Sequence, residues 1–368
     1  MISELQLDNF AAFKELKLNF SPKINVIIGE NSCGKTQILK SIYALSRNDM
    51  LKSENLFGLF KPLKESLGSL HHRSSSEDAL LSVKDASGSQ SKIVFSAKSK
   101  SQFSEILSDA SAPCLLIPTK EILSLLPAIN SGKARKESVS ALFDKSVIDL
   151  CELVLKAPSE ETEKILNSDP RASTIAPKLS KALGGRYIID GSEQYFVAGS
   201  YREKKLPGGS KAQQAQIYND YTELKFEKTE GTETSVMMTA EGYRKIGLLQ
   251  RLLENGTLTR SGVSTILWDE PESNMNPSLI RMLVDCLLIL SRNGQQIIVA
   301  THNYVLLKWF DLLVDSSKGD HIMYHALYRD ENKVIRSESE NDYNMLSKNA
   351  IAETYGELYD EEITKALG

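Results

Sequence analysis

Residues 24–36 of this 368-residue chain, Ile-Asn-Val-Ile-Ile-Gly-Glu-Asn-Ser-Cys-Gly-Lys-Thr, limit its possible folds more than any other stretch. They fit G-x-x-x-x-G-K-[ST], with Gly29, Gly34, Lys35 and Thr36 in the required places. An apolar run at 26–28 precedes the loop, and Ile38, Leu39, Ile42 and Leu45 follow at helical spacing, so the motif has its strand, loop and helix context. The chemistry is that of the backbone: glycines let the loop fold until several N–H groups and a helix N-terminus converge on one anion. Gly29, Asn31, Ser32, Cys33, Gly34, Lys35, Thr36 and Gln37 are therefore the candidate nucleotide-binding residues. Lys35 is expected to reach the β- and γ-phosphates and Thr36 to hold magnesium through its hydroxyl, which makes ATP and Mg2+ the implied cofactors.

Length allows one large domain or two lobes with a full core. The net charge of -4, from 44 basic and 48 acidic residues, gives no global attraction to polyanions, so a nucleic-acid contact would need a local basic patch. Cys33, Cys114, Cys151 and Cys286 are scattered without paired spacing, which argues against zinc or a disulfide framework and fits a reducing cytosol. Cys33 reads as a small filler within the phosphate loop rather than a redox-sensitive thiol. No apolar run approaches the roughly 18 residues of a membrane span, and no signal region opens the chain, so a cytoplasmic protein without membrane contact is expected.

Along the chain, residues 2–8 and 15–20 alternate as half-buried strands ahead of the buried strand at 24–28. The Ser- and Lys-rich region 48–111 has apolar islands at 56–60, 79–83 and 93–95, read as antiparallel strands. The His71-His72 pair lacks companion ligands and reads as a solvated loop. Cys114–Ile117 is a further strand, ending in Pro118-Thr119-Lys120-Glu121. Val139, Leu142, Phe143, Ser146, Leu150, Leu153 and Val154 share one helical stripe, and Ile175, Leu179 and Leu183 a second, closed by Gly184-Gly185. A hairpin of 187–189 with 194–197 across Asp190-Gly191 follows, then a basic loop at 201–211 carrying Arg202, Lys204, Lys205 and Lys211, then strands at 223–227 and 233–238.

Two later stretches complete a site. Residues 263–269 form an apolar strand ending in Asp269-Glu270; the aspartate suits a magnesium shell, and Glu270 is placed to orient or deprotonate the attacking water. Residues 295–302 form another strand ending in Thr301-His302, whose imidazole can hydrogen-bond a γ-phosphate. Leu279, Leu283, Leu287 and Leu290 lie on an amphipathic helix between them, which makes a βαβ unit with both strand ends on one edge. A helix at 305–313, a hairpin of 322–328 with 334–337, and an acidic helical tail at 342–368 close the reading.

This order resembles the ABC-type ATPase heads of SMC, recombination-repair and overcoming-lysogenisation-defect (OLD) proteins, and more closely the stand-alone bacterial AAA family ATPases related to OLD. The resemblance covers nearly all the chain outside the helical insertion and basic loop. Residues 238–249 look like that group's signature and 267–277 like its Asp-Glu segment. The resemblance implies an α/β, two-lobed head with a mixed β-sheet core and a short helical insertion. It divides the chain into 1–126 (lobe with phosphate loop), 127–185 (helical insertion), 186–341 (lobe with signature, Asp-Glu strand and His302) and 342–368 (tail). It also implies that Thr239, Ala240, Glu241 and Gly242 cap the γ-phosphate held by the opposite subunit of a homodimer, where helix N–H groups favour an anion. The catalytic set is then Lys35, Glu270 and His302, with Thr36 and Asp269 on the metal.

The sequence departs from the family at three points. Thr-Ala-Glu-Gly stands where Leu-Ser-Gly-Gly is usual, Asn276 stands where aspartate is common, and Thr119 to Glu121 substitute for a glutamine loop. No carboxylate cluster of a Toprim nuclease is present, so any nuclease or toxin effector is expected on a separate partner chain. The expected function is an ATPase that senses or scaffolds for such an effector in antiphage defence, as a homodimer or higher homo-oligomer. A DNA-repair ATPase binding DNA through the basic loop, and a nucleotide-gated binding module with little hydrolysis, are the alternatives.

Overall fold

Every residue of the strand Ile24–Gly29 is buried, as a parallel strand covered on both faces requires. The computed structural model describes residues 1–109, 112–130, 136–157, 162–190, 193–205, 222–259 and 262–367. In chain order, strands β1 (Ile2–Phe10), β2 (Phe13–Asn19) and β3 (Ile24–Gly29) lead to helices α1 (Lys35–Leu45) and α2 (Ser53–Phe60). Strands β4 (Ala79–Asp85), β5 (Gln90–Phe95), β6 (Glu105–Ser108) and β7 (Cys114–Ile117) follow. Next come α3 (Leu126–Asn130), α4 (Lys136–Leu142), α5 (Lys145–Leu155), α6 (Thr162–Ser168) and α7 (Pro170–Leu183). Strands β8 (Gly185–Asp190), β9 (Glu193–Lys205) and β10 (Thr222–Ser235) precede α8 (Glu241–Glu254), β11 (Thr265–Asp269), α9 (Pro277–Arg292) and β12 (Gln296–Ala300). The last elements are α10 (Tyr304–Leu313), β13 (Ile322–Arg329), β14 (Ile335–Glu340) and α11 (Ala350–Leu367).

By their contacts these elements form two compact units. The first spans Met1–Lys120, Arg135–Leu150 and Val263–Gly368, the second Glu121–Ala134 and Cys151–Gly262. In the first unit a six-stranded sheet has the order β14-β13-β3-β12-β11-β7. All its pairings are parallel except β13 with β14. A five-stranded antiparallel sheet, β2-β1-β4-β5-β6, shares a core with it. Helix α1 is part of that core: Ile38, Leu39, Ile42, Ala44 and Leu45 are fully buried on its apolar side, while Thr36, Gln37 and Lys40 are less buried. In the second unit β10-β9-β8 form an antiparallel sheet beside α7 and α8. Among the described residues no helix is long and apolar enough to cross a membrane.

The expected strands at 2–8, 15–20, 24–28, 79–83, 93–95, 114–117, 187–189 and 194–197 and the βαβ unit are all present. Residues 56–60 are a correction: they lie in α2, where Leu56 and Leu59, three apart, are the apolar residues fully buried. An apolar run of five cannot be assigned by period alone. The stripe at 139–154 is two helices rather than one, because the Asp144 carboxylate accepts from the N–H groups of Ser146 and Val147 and starts α5 afresh. Leu142 is accordingly 72% exposed. His71 is buried, not solvated, and its ring nitrogens bond the carbonyl oxygens of His72 and Glu77. Residues 201–205 continue β9 instead of forming a loop, while 206–211 and the turn residue Gly191 lie outside the described residues.

The first unit is laced at its far edge by one buried amide. Gln296 Oε1 accepts from the Ile2 N–H at 2.7 Å and the Thr265 hydroxyl at 3.0 Å, and its Nε2 donates to the Ile2 and Ser21 carbonyls at 2.7 and 2.8 Å. Replacing it by leucine strands the Ile2 N–H and carbonyl at once and leaves the Ser21 carbonyl only its bond from Asn25 Nδ2. Gln296→Leu should therefore destabilise the protein by about 3 kcal/mol or more, read as a lowered midpoint in thermal or denaturant unfolding.

Candidate nucleotide site

Parallel pairing decides which residues meet. Strand β3 lies between β12 and β13, with Ile27 opposite Ala300 and Gly29 opposite Leu327, and Asp269 pairs with Ala300 on the far side of β12. The C-terminal ends of β3, β12, β11 and β7 thus open on one edge, where ligands of open α/β sheets bind. The loop after β3 closes on tight constraints. Gly34, the N-cap of α1, sits at φ 86°, and a Cβ there would come 2.4 Å from the Phe13 ring. Ser32 is also left-handed, at φ 65°, and its carbonyl accepts from Arg329 Nη2 at 3.0 Å.

Lys35 is buried at the foot of this loop, with Nζ donating to the carbonyls of Gly29 at 2.7 Å and Glu30 at 3.0 Å. Burial holds its ammonium below the ordinary lysine range. Thr36, the next residue, donates its hydroxyl to Asp269 Oδ2 at 2.8 Å, and Thr119 beyond the end of β7 donates to the same oxygen at 3.2 Å. Burial pushes the Asp269 carboxyl up, against the pull of those two hydroxyls. A carboxylate flanked by two hydroxyls beside a phosphate loop is an all-oxygen donor set of the kind hard cations take. Thr36 and Asp269 would hold magnesium there, with Thr119 supporting the carboxylate.

Glu270 follows in a left-handed conformation, φ 46°, at the end of β11. Such strain in a non-glycine residue costs of order 1–3 kcal/mol and concentrates at functional sites. Its N–H extends the sheet ladder to Ala300 O at 2.8 Å. Its Oε1 lies 2.9 Å from His302 Nδ1, with the imidazole half exposed. Thus Lys35, Thr36, Asp269, Glu270 and His302 are brought together in one unit. Cys33 is buried in the core, and burial raises its thiol pKa, so only its backbone is available to an anion. Gln37 faces the β1–β2 turn, accepting from the Ala12 N–H at 3.2 Å. Asn31 and Ser32 are exposed.

The second unit carries the signature residues. Helix α8 begins at Glu241 with Ala240 as an N-cap that makes no side-chain bond. The Thr239 hydroxyl donates to Val236 O at 2.7 Å and accepts from the Tyr187 hydroxyl at 2.8 Å, so it is already engaged within its own chain. Arg244 joins Glu121 at 2.8 Å and also donates to Thr239 O. Glu121 is therefore committed to an ion pair rather than free to stand in for a glutamine. Arg329 and Glu272, absent from the expected site, also belong to it. Arg329 ends a strand parallel to β3, and Glu272 is the third acid of Asp-Glu-Pro-Glu; the positions were legible, the contacts were not.

A phosphate-loop motif, an Asp-Glu strand and a histidine on one parallel edge have the arrangement of an ABC-type ATPase head fold. Comparison with known proteins agrees. Residues 1–169 match the AAA ATPase domain family AAA_15, and residues 164–308 match AAA_21, described as "AAA domain, putative AbiEii toxin, Type IV TA system". A DNA replication and repair protein RecF from Lysinibacillus sphaericus (strain C3-41) is 53% identical over 45 residues, 12% of this chain and 12% of that protein. The RecF of Bacillus cytotoxicus is 44% identical over 54 residues, 15% of this chain and 14% of that one. The chain thus spans only a small part of these curated relatives. Among solved structures, an SmcHead bound to the C-winged helix domain of ScpA aligns with TM-score 0.54 at 13% identity, covering 93% of this chain and 98% of that one. An Smc head with an extended coiled coil, bound to the C-terminal domain of ScpA derived from Pyrococcus furiosus, aligns with TM-score 0.52 at 12% identity, over 98% of each. AAA-type ATPase domain models thus match two consecutive stretches of the chain, 1–169 and 164–308, and its fold is similar to that of SMC heads.

Because the Gly34 conformation and its contact with Phe13 are both intolerant of a methyl group, Gly34→Ala should abolish measurable ATP binding and destabilise the chain by about 2 kcal/mol. Nucleotide titration calorimetry and thermal unfolding check the two parts separately.

Proposed function

We propose that this protein hydrolyses ATP as a head-to-tail homodimer enclosing two Mg-ATP, and that the closed dimer is a sensor or scaffold for a separate effector chain. The observation that carries the reading is the convergence on Asp269 of the Thr36 and Thr119 hydroxyls, directly beside Lys35 and the Glu270–His302 pair. In this reading Lys35 and the loop N–H groups bind the phosphates, and Thr36 and Asp269 hold the metal. Glu270 accepts a proton from the attacking water while His302 donates to the γ-phosphate. The metal, when bound, neutralises charge developing between the β- and γ-phosphates.

Dimerisation is supported by a chain that carries both half-sites and by apolar exposure at the signature. Met237 is 61% exposed, Met238 80% and Tyr243 38%, a surface that a partner would cover. Thr239, Glu241 and Gly242 would face the partner's γ-phosphate, and Thr239 would first have to release Val236 O. Residues 1–126 and 186–341 would act as the ATPase lobes, 127–185 as the helical insertion and 342–368 as the tail.

The effector role, a nuclease or toxin partner in antiphage defence within the cytoplasm, rests on the sequence resemblance to OLD-type ATPases and on the toxin–antitoxin wording of the AAA_21 description. Direct DNA binding is less well supported. In β9 Arg202 pairs with Glu227 at 3.1 Å and Lys204 lies opposite Glu223, so this ribbon is charge-balanced rather than a phosphate track.

Two measurements test the reading. Glu270→Gln should keep ATP affinity, lower phosphate release on the order of 10²-fold or more, and shift to dimer mass in light scattering on adding ATP and Mg2+. A variant that remains a monomer at saturating ATP would remove the dimer. Co-purification with a neighbouring gene's product, in ATP and in ADP, checks the effector; a chain that elutes alone under both conditions counts against it.

A further inference from the structure

Glu272 stands two residues beyond Glu270, but its side chain turns away from solvent. The residue is 4% exposed; Oε1 accepts the Thr301 hydroxyl at 2.6 Å, and Oε2 is buried with no hydrogen-bond partner. Thr301 is fully buried, and the same Oγ1 accepts the Asn303 N–H at 2.9 Å, so its one proton is committed to Glu272. Asn303 in turn caps α10, accepting the Leu306 N–H at 3.0 Å. A carboxyl on the loop after β11 therefore holds the loop after β12 through a single hydroxyl. Between these anchors the side chains of Glu270 and His302 meet.

Stability does not account for this arrangement. A buried carboxyl with one oxygen unpaired costs folding free energy that an apolar side chain of similar size avoids. Burial pushes Glu272 up to about 7, the direction expected of an acid withdrawn from water. The backbone joins the two loops only as far as the bond from Glu270 N–H to Ala300 O. Past that point, side chains must keep them in register. A displacement of about 1 Å at a reacting group costs on the order of 10²-fold in rate, so register here matters to chemistry.

We propose that Glu272 is a positioning residue, which through the Thr301 hydroxyl keeps His302 in register with Glu270. The inference deepens, and for its kinetic part rests on, the reading of Glu270 and His302 as the hydrolytic pair. It adds a coupling between the loops that the Asp-Glu motif does not describe.

The test uses the full chain and the variants Glu272→Gln, Glu272→Leu, Thr301→Val and the double variant Glu272→Leu/Thr301→Val. Three quantities are read: kcat and KM for ATP, the unfolding midpoint, and the NMR signals of the His302 imidazole in nucleotide-free protein. Glu272→Leu, which leaves the buried Thr301 hydroxyl without its acceptor, should hold KM within about twofold and lose kcat on the order of 10²-fold, while the double variant, which removes both polar partners, should unfold at or above the wild-type midpoint. Glu272→Gln, which keeps an acceptor for Thr301, should restore most of that loss. Thr301→Val should reproduce the loss, and the double variant should be no worse than either single change, as for one shared link. The His302 signals should move in the Leu and Val variants and stay in place in the Gln variant. Unmoved His302 signals in all variants, or a kcat that falls only in step with the unfolding midpoint, would overturn the proposal. If wild type and Glu270→Gln both fail to release phosphate, the hydrolytic reading fails, and the imidazole signals still decide whether Glu272 positions His302.

Discussion

Parallel hydrogen bonding along β3 is the constraint from which the rest of this site follows. Because β12, β11 and β7 run with it, four strands release their chains on the same edge, and the residue after each last paired position arrives there without a long loop. Thr36, Thr119 and Asp269 come from three such exits, yet their oxygens meet within hydrogen-bonding distance. Shifting β11 by one residue would turn Asp269 to the opposite face of the sheet and leave Glu270 in its place. The apolar runs of these strands do more than fill a core; they fix the register that makes two acids inequivalent. One acid is buried against hydroxyls, while the other stands partly exposed against an imidazole.

How much of this could be read from the residues depends on the range over which each feature is determined. The phosphate loop is local: its glycines, lysine and threonine specify a backbone path within a few residues, so motif and structure agree. The two strand-terminal motifs are nearly as local; alternation placed β1 and β2, and short apolar islands placed β4 and β5. Range explains the failures too. Residues 56–60 have an apolar pattern compatible with two periods, and burial of Leu56 and Leu59 in the shared core, a tertiary effect, selected the helix. His71 looked solvated because nothing adjacent in sequence shows that its ring is held by main-chain carbonyls. The Glu272–Thr301 bond joins residues 29 apart, and no spacing rule points to it.

The signature shows the same division between motif and environment. Its position ahead of a helix was legible, and α8 does begin at Glu241. Its local chemistry was not: the Thr239 hydroxyl, the obvious substitute for a serine, is tied on both sides by Val236 and Tyr187. An N–H-rich helix start still favours an anion without that hydroxyl. Yet Glu241 in the first turn opposes one, so the two effects compete within the same few residues. In the proposed dimer such a head would depend more heavily on its own phosphate loop and metal for affinity than one with serine and glycine there.

Electrostatics sharpen that last point. Burial depresses the basicity of Lys35 and raises the carboxyl of Asp269. Each is shifted toward its neutral form by the same withdrawal from water. Bringing a polyphosphate to Lys35 and a divalent cation to Asp269 would reverse both shifts together, since each ligand supplies the opposite charge that the residue is short of. Neither ligand alone does so, because a phosphate near Asp269 or a cation near Lys35 adds repulsion. If Lys35 and Asp269 take the roles proposed above, the nucleotide and its metal would favour one another's binding. Stabilisation of the folded chain by the two together should exceed the sum of what either supplies separately.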